Sequence, residues 1–387
     1  MSTKGKNYLL CISVLSVFAF GNCMGAVDGA LSKIADALNV EHTLALYVGS
    51  IPALTSMASS LLLGVIAGKK LPYKITSVFC AALMIAAGVI PVLAENFATI
   101  LITRCFFGLG LGGMMSLQNP IATKLIPVES RASVLGIGTC VAFTFQCILQ
   151  LVGGVLADVQ WNLVFLTHLI LLIPLAVMII FLPKMELDAP EEKQQEKAKL
   201  PKAALLMCGV IGIVTLNLAP LLFGSAFYVA AISDSATVAA VIAMLFSIGC
   251  MTGGLVYSQF YKRLKAKSFS AFLVIGAVGL VISASAHSIP VLGVGFFIGG
   301  ISFASMQAGL MMLLGLICAP ERVGFASALM MVFVNLGGFL CSSWEMVIGI
   351  ITGDSLYAPL FVGAVIFVAL AVILFIRSPF PKENRQS

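Results

Sequence analysis

The chain has 387 residues, 60% of them hydrophobic and only 10% charged, and its mean hydropathy is +1.10. A soluble domain of this size needs far more polar surface, so the apolar surplus must face lipid. The net charge of +6 lies in short loops and on no continuous basic face, which argues against a nucleic-acid partner.

A hydrocarbon core of ~30 Å takes about 20 apolar residues of helix to cross. Taken in chain order, runs of that length predict spans at 8–31, 43–67, 75–94, 98–119, 132–157, 162–182, 204–230, 236–259, 268–287, 290–318, 323–348 and 355–377. The first run lacks a clear small-residue cleavage site and is read as a retained span, not a removed signal. Twenty of the 22 Lys and Arg residues fall before span 1, in every second gap and after span 12. Lys33 alone falls on the other side, and Arg104 lies within a span. Omitting one helix would invert every later loop, so the pattern predicts twelve spans with both termini cytoplasmic.

The segment 184–202 is the one long charged stretch and divides the chain six spans from six. The expected organisation is an N-terminal six-helix bundle over 1–183, a solvated cytoplasmic linker over 184–202 and a C-terminal bundle over 203–387. The halves are weakly self-similar: Pro127-Val-Glu129-Ser-Arg131 before span 5 is echoed by Pro320-Glu321-Arg322 before span 11. Such a repeat predicts two parallel bundles related by an axis along the membrane normal, with a site between them.

Ten cysteines sit in apolar runs without a C-x-x-C pair, and three scattered histidines (42, 168, 287) form no cluster. No disulfide framework, metal site or cofactor is expected, and no nucleophile–base pair supports an intramembrane hydrolase. No G-x-x-x-x-G-K-[ST] motif is present, so the chain carries no nucleotide-driven motor of that type.

Certain motifs resemble the major facilitator superfamily. Gly64-Val-Ile-Ala-Gly68-Lys69-Lys70 through Lys74 is similar to its loop 2–3 motif, with Gly68 where an acid usually stands. Arg104-Cys-Phe-Phe-Gly108-Leu-Gly110 resembles the span 4 motif R-x-x-x-G-x-G of proton-coupled members. Gly153-Gly154 followed by Trp161-Asn-Leu-Val-Phe165 resembles the family's span 5–6 junction, although Leu149-Gln150 replace the Gly-Pro of efflux-type members. The resemblance implies an all-α polytopic fold of twelve helices in two six-helix bundles. It also implies a secondary transporter working by alternating access, and it ties Arg104 to proton coupling.

Arg104 is the sharpest residue signal, because a guanidinium inside a span costs on the order of 3 kcal/mol unless it faces water or a partner. Asp28, near the outer end of span 1, is its candidate partner, with an interfacial helix end as the other reading. Glu345 beside Trp344 reads as an interfacial acid or a proton carrier, and His168 as a packing residue or a relay. These four are the proton-coupling candidates. Asn22, Gln118, Gln146, Gln150, Asn217, Gln307 and Asn335 lie mostly inside spans and should turn inward, as helix–helix glue or as substrate contacts. In the resembling family spans 1, 4, 7 and 10 line the central cavity, which favours Asn22, Asn217 and Gln307 as contacts.

These features together predict a monomeric, proton-coupled carrier of a small organic solute in a bacterial plasma membrane, with efflux slightly favoured. A proton-linked uptake permease for an organic anion, a lipid flippase and a sensor that has lost transport are the alternatives. Arg104→Ala is expected to abolish proton-driven transport and leave the protein folded.

Overall fold

The computed structural model describes residues 3–93, 96–187 and 200–377. The described residues are almost entirely helical, and β structure among them amounts to one isolated bridge between Ala67 and Leu71. Ten helices are long and apolar enough to cross a membrane: His42–Gly64, Tyr73–Leu93, Phe97–Leu125, Val128–Val159, Trp161–Phe181, Lys202–Phe223, Ala236–Leu264, Ile289–Ile317, Arg322–Thr352 and Ala358–Ile376. They fill the predicted positions 2 to 8 and 10 to 12.

The other two positions hold helices that hydropathy alone could not shape. The first span is broken: Tyr8–Phe18 and Cys23–Leu38 meet at 47°, and the second piece starts as a 3-10 helix over Cys23–Ala30. It therefore ends at Leu38, beyond the predicted 31. The ninth is Ser268–Ala284, an apolar helix of 17 residues, or about 26 Å long. That is a little short of the hydrocarbon core, a mismatch met by local thinning or snorkelling. Lys267, just before it, lies 4.6 Å over the Phe375 ring, as a snorkelling lysine does. Ten long helices, one bent pair and one short helix are compatible with twelve spans.

Side-chain placement is inverted relative to a water-soluble protein. Ile75, Phe79, Ile173, Ile180 and Val365 are exposed, whereas Arg104, Asp28, Gln150 and Asn217 are buried. Outward apolar groups meet acyl chains, while polar groups turned inward avoid an unpaired position in hydrocarbon.

Contacts divide the chain into two compact units, Met1–Gln194 with Ser233–Met244, and Gln195–Ile232 with Leu245–Ser387. The linker expected over 184–202 lies in large part outside the described residues, which omit 188–199. In the first unit, spans 2 and 4 touch backbone to backbone. A Cβ on Gly108 would collide with Thr55 and Pro52, and one on Gly112 with the Ser56 carbonyl. In the second unit Gly249, Gly253 and Gly300 give spans 8 and 10 the same closeness.

The loop after span 2 explains why no acid stands at position 68. Gly68 has φ +80° and its N–H donates to Leu71 O at 2.7 Å. This left-handed turn favours glycine and disfavours a side chain. Nearby, Lys124 at the end of span 4 lies 5.0 Å over the Tyr73 ring and donates to Glu186 O at 2.8 Å. Spans 3 and 4 and the segment after span 6 are thus joined by a lysine, with no carboxylate of this loop involved. Gly68→Asp is expected to destabilise the protein by about 1–2 kcal/mol, the usual left-handed penalty. A melting curve in detergent checks this, and an unchanged midpoint would remove the turn argument.

Candidate functional site

The centre of the first unit is Arg104, fully buried in the fourth span. Its Nε donates to Val48 O of span 2 at 2.8 Å, and its Nη2 donates to Met24 O in the broken part of span 1 at 2.9 Å. The guanidinium carbon lies 4.5 Å over the Phe107 ring, one turn on in the same helix. Charge-assisted hydrogen bonds to two carbonyls on separate helices give the cation a structural task. The broken part of span 1, which runs as a 3-10 helix over Cys23–Ala30, supplies one of the two acceptors.

Asp28 is also fully buried, and neither carboxylate oxygen has a hydrogen-bond partner. Two sequence expectations change here. Asp28 is not a helix end in interfacial water, since none of it is exposed. Nor does it form a direct ion pair with Arg104: the one ion pair within 4.0 Å among the described residues joins Lys33 and Asp158. Arg104 and Asp28 interact electrostatically through space, and Arg104 Nη1 is itself without a hydrogen-bond partner.

A bare glycine organises the surroundings. A Cβ on Gly25 would stand 2.6 Å from Asp28 Oδ2, 3.0 Å from Gln150 Nε2 and 3.2 Å from Gln146 Nε2. The carboxylate and the two carboxamides therefore converge over the peptide that follows the carbonyl held by Arg104. Gln146 and Gln150 are four residues apart on the helix Val128–Val159, so they share a face. The helix runs through Gln150 without a proline. One turn back in span 1, a Cβ on Gly21 would meet Gln118 Nε2 at 2.6 Å, and that amide nitrogen has no partner. Asn22 is half-buried beside it.

His168 is fully buried. Its Nδ1 faces Phe165 O at 3.0 Å and its ring meets Phe107 edge-on at 5.1 Å. Gly88 makes room for the ring, since a Cβ there would come 2.5 Å from His168 Cγ. A carbonyl oxygen can only accept, so Nδ1 carries a proton, and Nε2 has no hydrogen-bond partner. Phe107 thus has Arg104 on its face and His168 at its edge.

The remaining candidates lie in the second unit. Asn217 donates from Nδ2 to Ile213 O on its own helix at 2.8 Å, and its Oδ1 faces Gly363. Asn335 likewise donates to Met331 O at 2.9 Å, and Gln307 is half-buried. Glu345 is 1% exposed, so the interfacial reading does not hold. The Cys341 thiol donates to Glu345 Oε1 at 3.6 Å, and Glu345 acts electrostatically on Tyr228, whose hydroxyl donates to Leu356 O at 3.2 Å.

Sequence reasoning missed three features: Gly25 as the meeting point, the carbonyls of Met24 and Val48 as the partners of Arg104, and the pair Lys33–Asp158. The spacing Gly21, Gly25, Gly29 was the available signal for the first.

Comparison with known proteins gives a consistent answer. The family model described as Major Facilitator Superfamily matches residues 12–341. A curated relative, an "MFS transporter L2" of Phoma sp. (strain ATCC 20986 / MF5453), is 32% identical over 173 residues, which cover 41% of this chain and only 26% of that protein. Among solved structures, a bacterial homologue of the human lysosomal transporter Spinster, inward-facing and unoccupied, has TM-score 0.72 at 15% identity and covers 98% of both chains. A D-xylose–proton symporter has TM-score 0.74 at 15% identity and covers 99% of both. A peptide transporter of the POT type has TM-score 0.78 at 11% identity, covering 96% of this chain and 94% of its own. At these identities the solved structures establish the fold.

Proposed function

The chain belongs to the Major Facilitator Superfamily and is a membrane transporter of solutes, not an enzyme, and from that premise we propose that it couples solute movement to protons through Asp28 and Arg104. The observation that carries this reading is a fully buried carboxylate with no hydrogen-bond donor beside a guanidinium with one free nitrogen. An ionised carboxylate left so would be costly in a low-dielectric interior. Either a proton on Asp28 or a shift of Arg104 toward it removes the cost. In the first state Arg104 holds Met24 O and Val48 O. In the second its charge is drawn to Asp28 and its hold on the broken segment of span 1 weakens. Protonation then becomes a change in how spans 1, 2 and 4 are tied together, which is what a coupling group must do.

The solute binds near the carboxamides. Gln146, Gln150 and Gln118 present amide groups to the glycine face of span 1, and Asn22 lies beside them; this suits a small organic compound with hydrogen-bonding groups on an otherwise apolar body. Asn217, Gln307 and Asn335 are contacts from the C-terminal half, and Glu345 and His168 are further proton carriers. The domain reading is a bundle over 1–183 rocking against one over 203–387, as a monomer in a bacterial plasma membrane with both termini in the cytoplasm. Export is the favoured direction. The Gln150 substitution, which turns a helix-breaking position into a polar contact, is the observation on the side of uptake.

The test starts with a melting-temperature screen of the purified protein against a metabolite and drug library, since any ligand of the folded form raises the midpoint. A stabilising compound is then followed in proteoliposomes. An imposed pH gradient should drive its accumulation, and collapsing the gradient with a protonophore should stop it. Accumulation indifferent to the gradient would end the proton reading.

A further inference from the structure

Span 7 ends in a short second helix, Ser225–Ala230, set off from Lys202–Phe223 at Gly224. Gly224 leaves room for Tyr228, since a Cβ there would stand 3.1 Å from the ring carbon Cε2. The Tyr228 side chain is buried, with its ring centroid 6.0 Å from that of Phe296 in span 10 and 6.1 Å from that of Tyr357. Packing holds the ring, and the hydroxyl is its one polar group. That hydroxyl donates to Leu356 O, in the loop between spans 11 and 12, at 3.2 Å. The bond is long, because O–H···O bonds cluster at about 2.7–2.8 Å.

One face of span 11 meets the same loop. Cys341, Glu345 and Gly349 follow one another at four-residue spacing on the helix Pro320–Thr352. Gly349 brings this face against the loop: a Cβ on it would come 2.6 Å from Ser355 Cβ, one residue before the carbonyl that Tyr228 holds. Glu345 and Cys341 are buried on that face, and both act electrostatically on Tyr228. Glu345 accepts from the Cys341 thiol at 3.6 Å, and a thiol is a weak donor. A buried carboxyl is thus served by a weak donor while a phenol in its field gives a strong one to a distant carbonyl.

An ionised carboxylate in such an interior demands donors, and a charge-assisted hydrogen bond is about twice as strong as a neutral one. We propose that Tyr228 is the positioning residue through which the proton on Glu345 acts on the fold. When that proton leaves, the phenol turns from Leu356 O to the Glu345 carboxylate, and the loop 353–357 loses its tie to span 7. With the proton on, Glu345 needs no donor and the tie holds. The other titratable groups acting on Tyr228 among the described residues are Cys341, Tyr357 and Asp354. Asp354 works in the opposite sense. Its Oδ1 accepts from the N–H of Leu356 at 2.9 Å and of Tyr357 at 3.0 Å, so protonating it loosens the loop toward acid. Ionising Glu345 loosens the loop toward alkali. The proposal rests on the reading of Glu345 as a proton carrier and stands apart from Asp28.

Hydrogen exchange of the full chain in lipid nanodiscs, over a series of pH values and corrected for the intrinsic amide rate, tests it without a solute. In the parent, protection over 353–358 should fall as pH rises by about 2–10-fold, the factor one net hydrogen bond is worth. Residues 73–93 should stay flat. Tyr228→Phe keeps the ring contacts and removes the donor, so its protection should sit at the parent's high-pH value throughout. Glu345→Gln cannot ionise and should hold the low-pH value throughout. A parent profile that is flat, or that falls toward acid as Asp354 would make it, would overturn the proposal. So would a parent-like slope in either variant. A slope lost in Asp28→Asn would overturn it as well, by tracing the titration to the first unit. Transport by Glu345→Gln judges the carrier reading separately: parent-like accumulation would remove Glu345 from transport, whereas the exchange slope alone decides the role of Tyr228.

Discussion

Asp28→Asn should uncouple the transporter without unfolding it. Asparagine has nearly the shape of aspartic acid and satisfies the crowded position over Gly25, where Asp28 Oδ2 stands only 2.6 Å from a hypothetical Cβ. It cannot exchange a proton. Counterflow of a solute identified by melting-temperature screening, which needs no gradient, should stay within a few-fold of the parent. Accumulation driven by a pH gradient should fall about 5–150-fold, the range an ordinary coupling free energy of 1–3 kcal/mol spans. Removing the titrating group also predicts a flattened pH dependence of the exchange rate. A variant that still accumulates solute against its gradient as the parent does would shift the proton site elsewhere, with Glu345 next in line as the other buried carboxyl among the described residues.

The sequence could be read for spans and little further, and the reasons differ by element. Hydropathy over about 20 residues and the alternation of basic loops report on lipid and on side, because both are properties of composition. They say nothing of the break near residues 19–22, which hydropathy passes over, nor of the Met24 carbonyl just beyond it, which Arg104 secures from 80 positions on. Gln146 and Gln150 could be placed on one face of span 5 from their spacing alone. That their amides meet Asp28 over Gly25 could not, since the meeting depends on the packing of span 1 against span 5. Glu345 looked interfacial because it follows a tryptophan near a span end, yet Trp344 Nε1 is itself buried without an acceptor. Asp158 was overlooked although Lys33, the one lysine expected on the side opposite the basic loops, lies in reach of it. A lone cation opposite an acid at a span end was the clue, and it counts for nothing until two helix ends are known to meet.

Arg104 is where the sequence expectation and the structure part, and its substitutions separate two tasks. The expectation was a folded, uncoupled Arg104→Ala. In the structure the guanidinium bridges Val48 O and Met24 O and covers Phe107. Alanine leaves two buried carbonyls without their donor, each bond to a charged group being worth about 1.5–3 kcal/mol. The loss should be at least ~3 kcal/mol, seen as a large drop in melting midpoint and, at physiological temperature, in recovery of folded protein. Arg104→Lys keeps the charge near Asp28, but a single ammonium on an unbranched stem does not reproduce the Nε and Nη2 fork. It should melt between the parent and the alanine variant and retain part of the gradient-driven accumulation. Arg104→Gln keeps a donor for one carbonyl and removes the charge, so it should be at least as stable as alanine yet show no coupling. Stability ordered parent, lysine, glutamine, alanine, with coupling present only in the first two, would assign the hydrogen bonds to the fold and the charge to the proton. Coupling in the glutamine variant equal to that of lysine would show that the cation serves the fold alone.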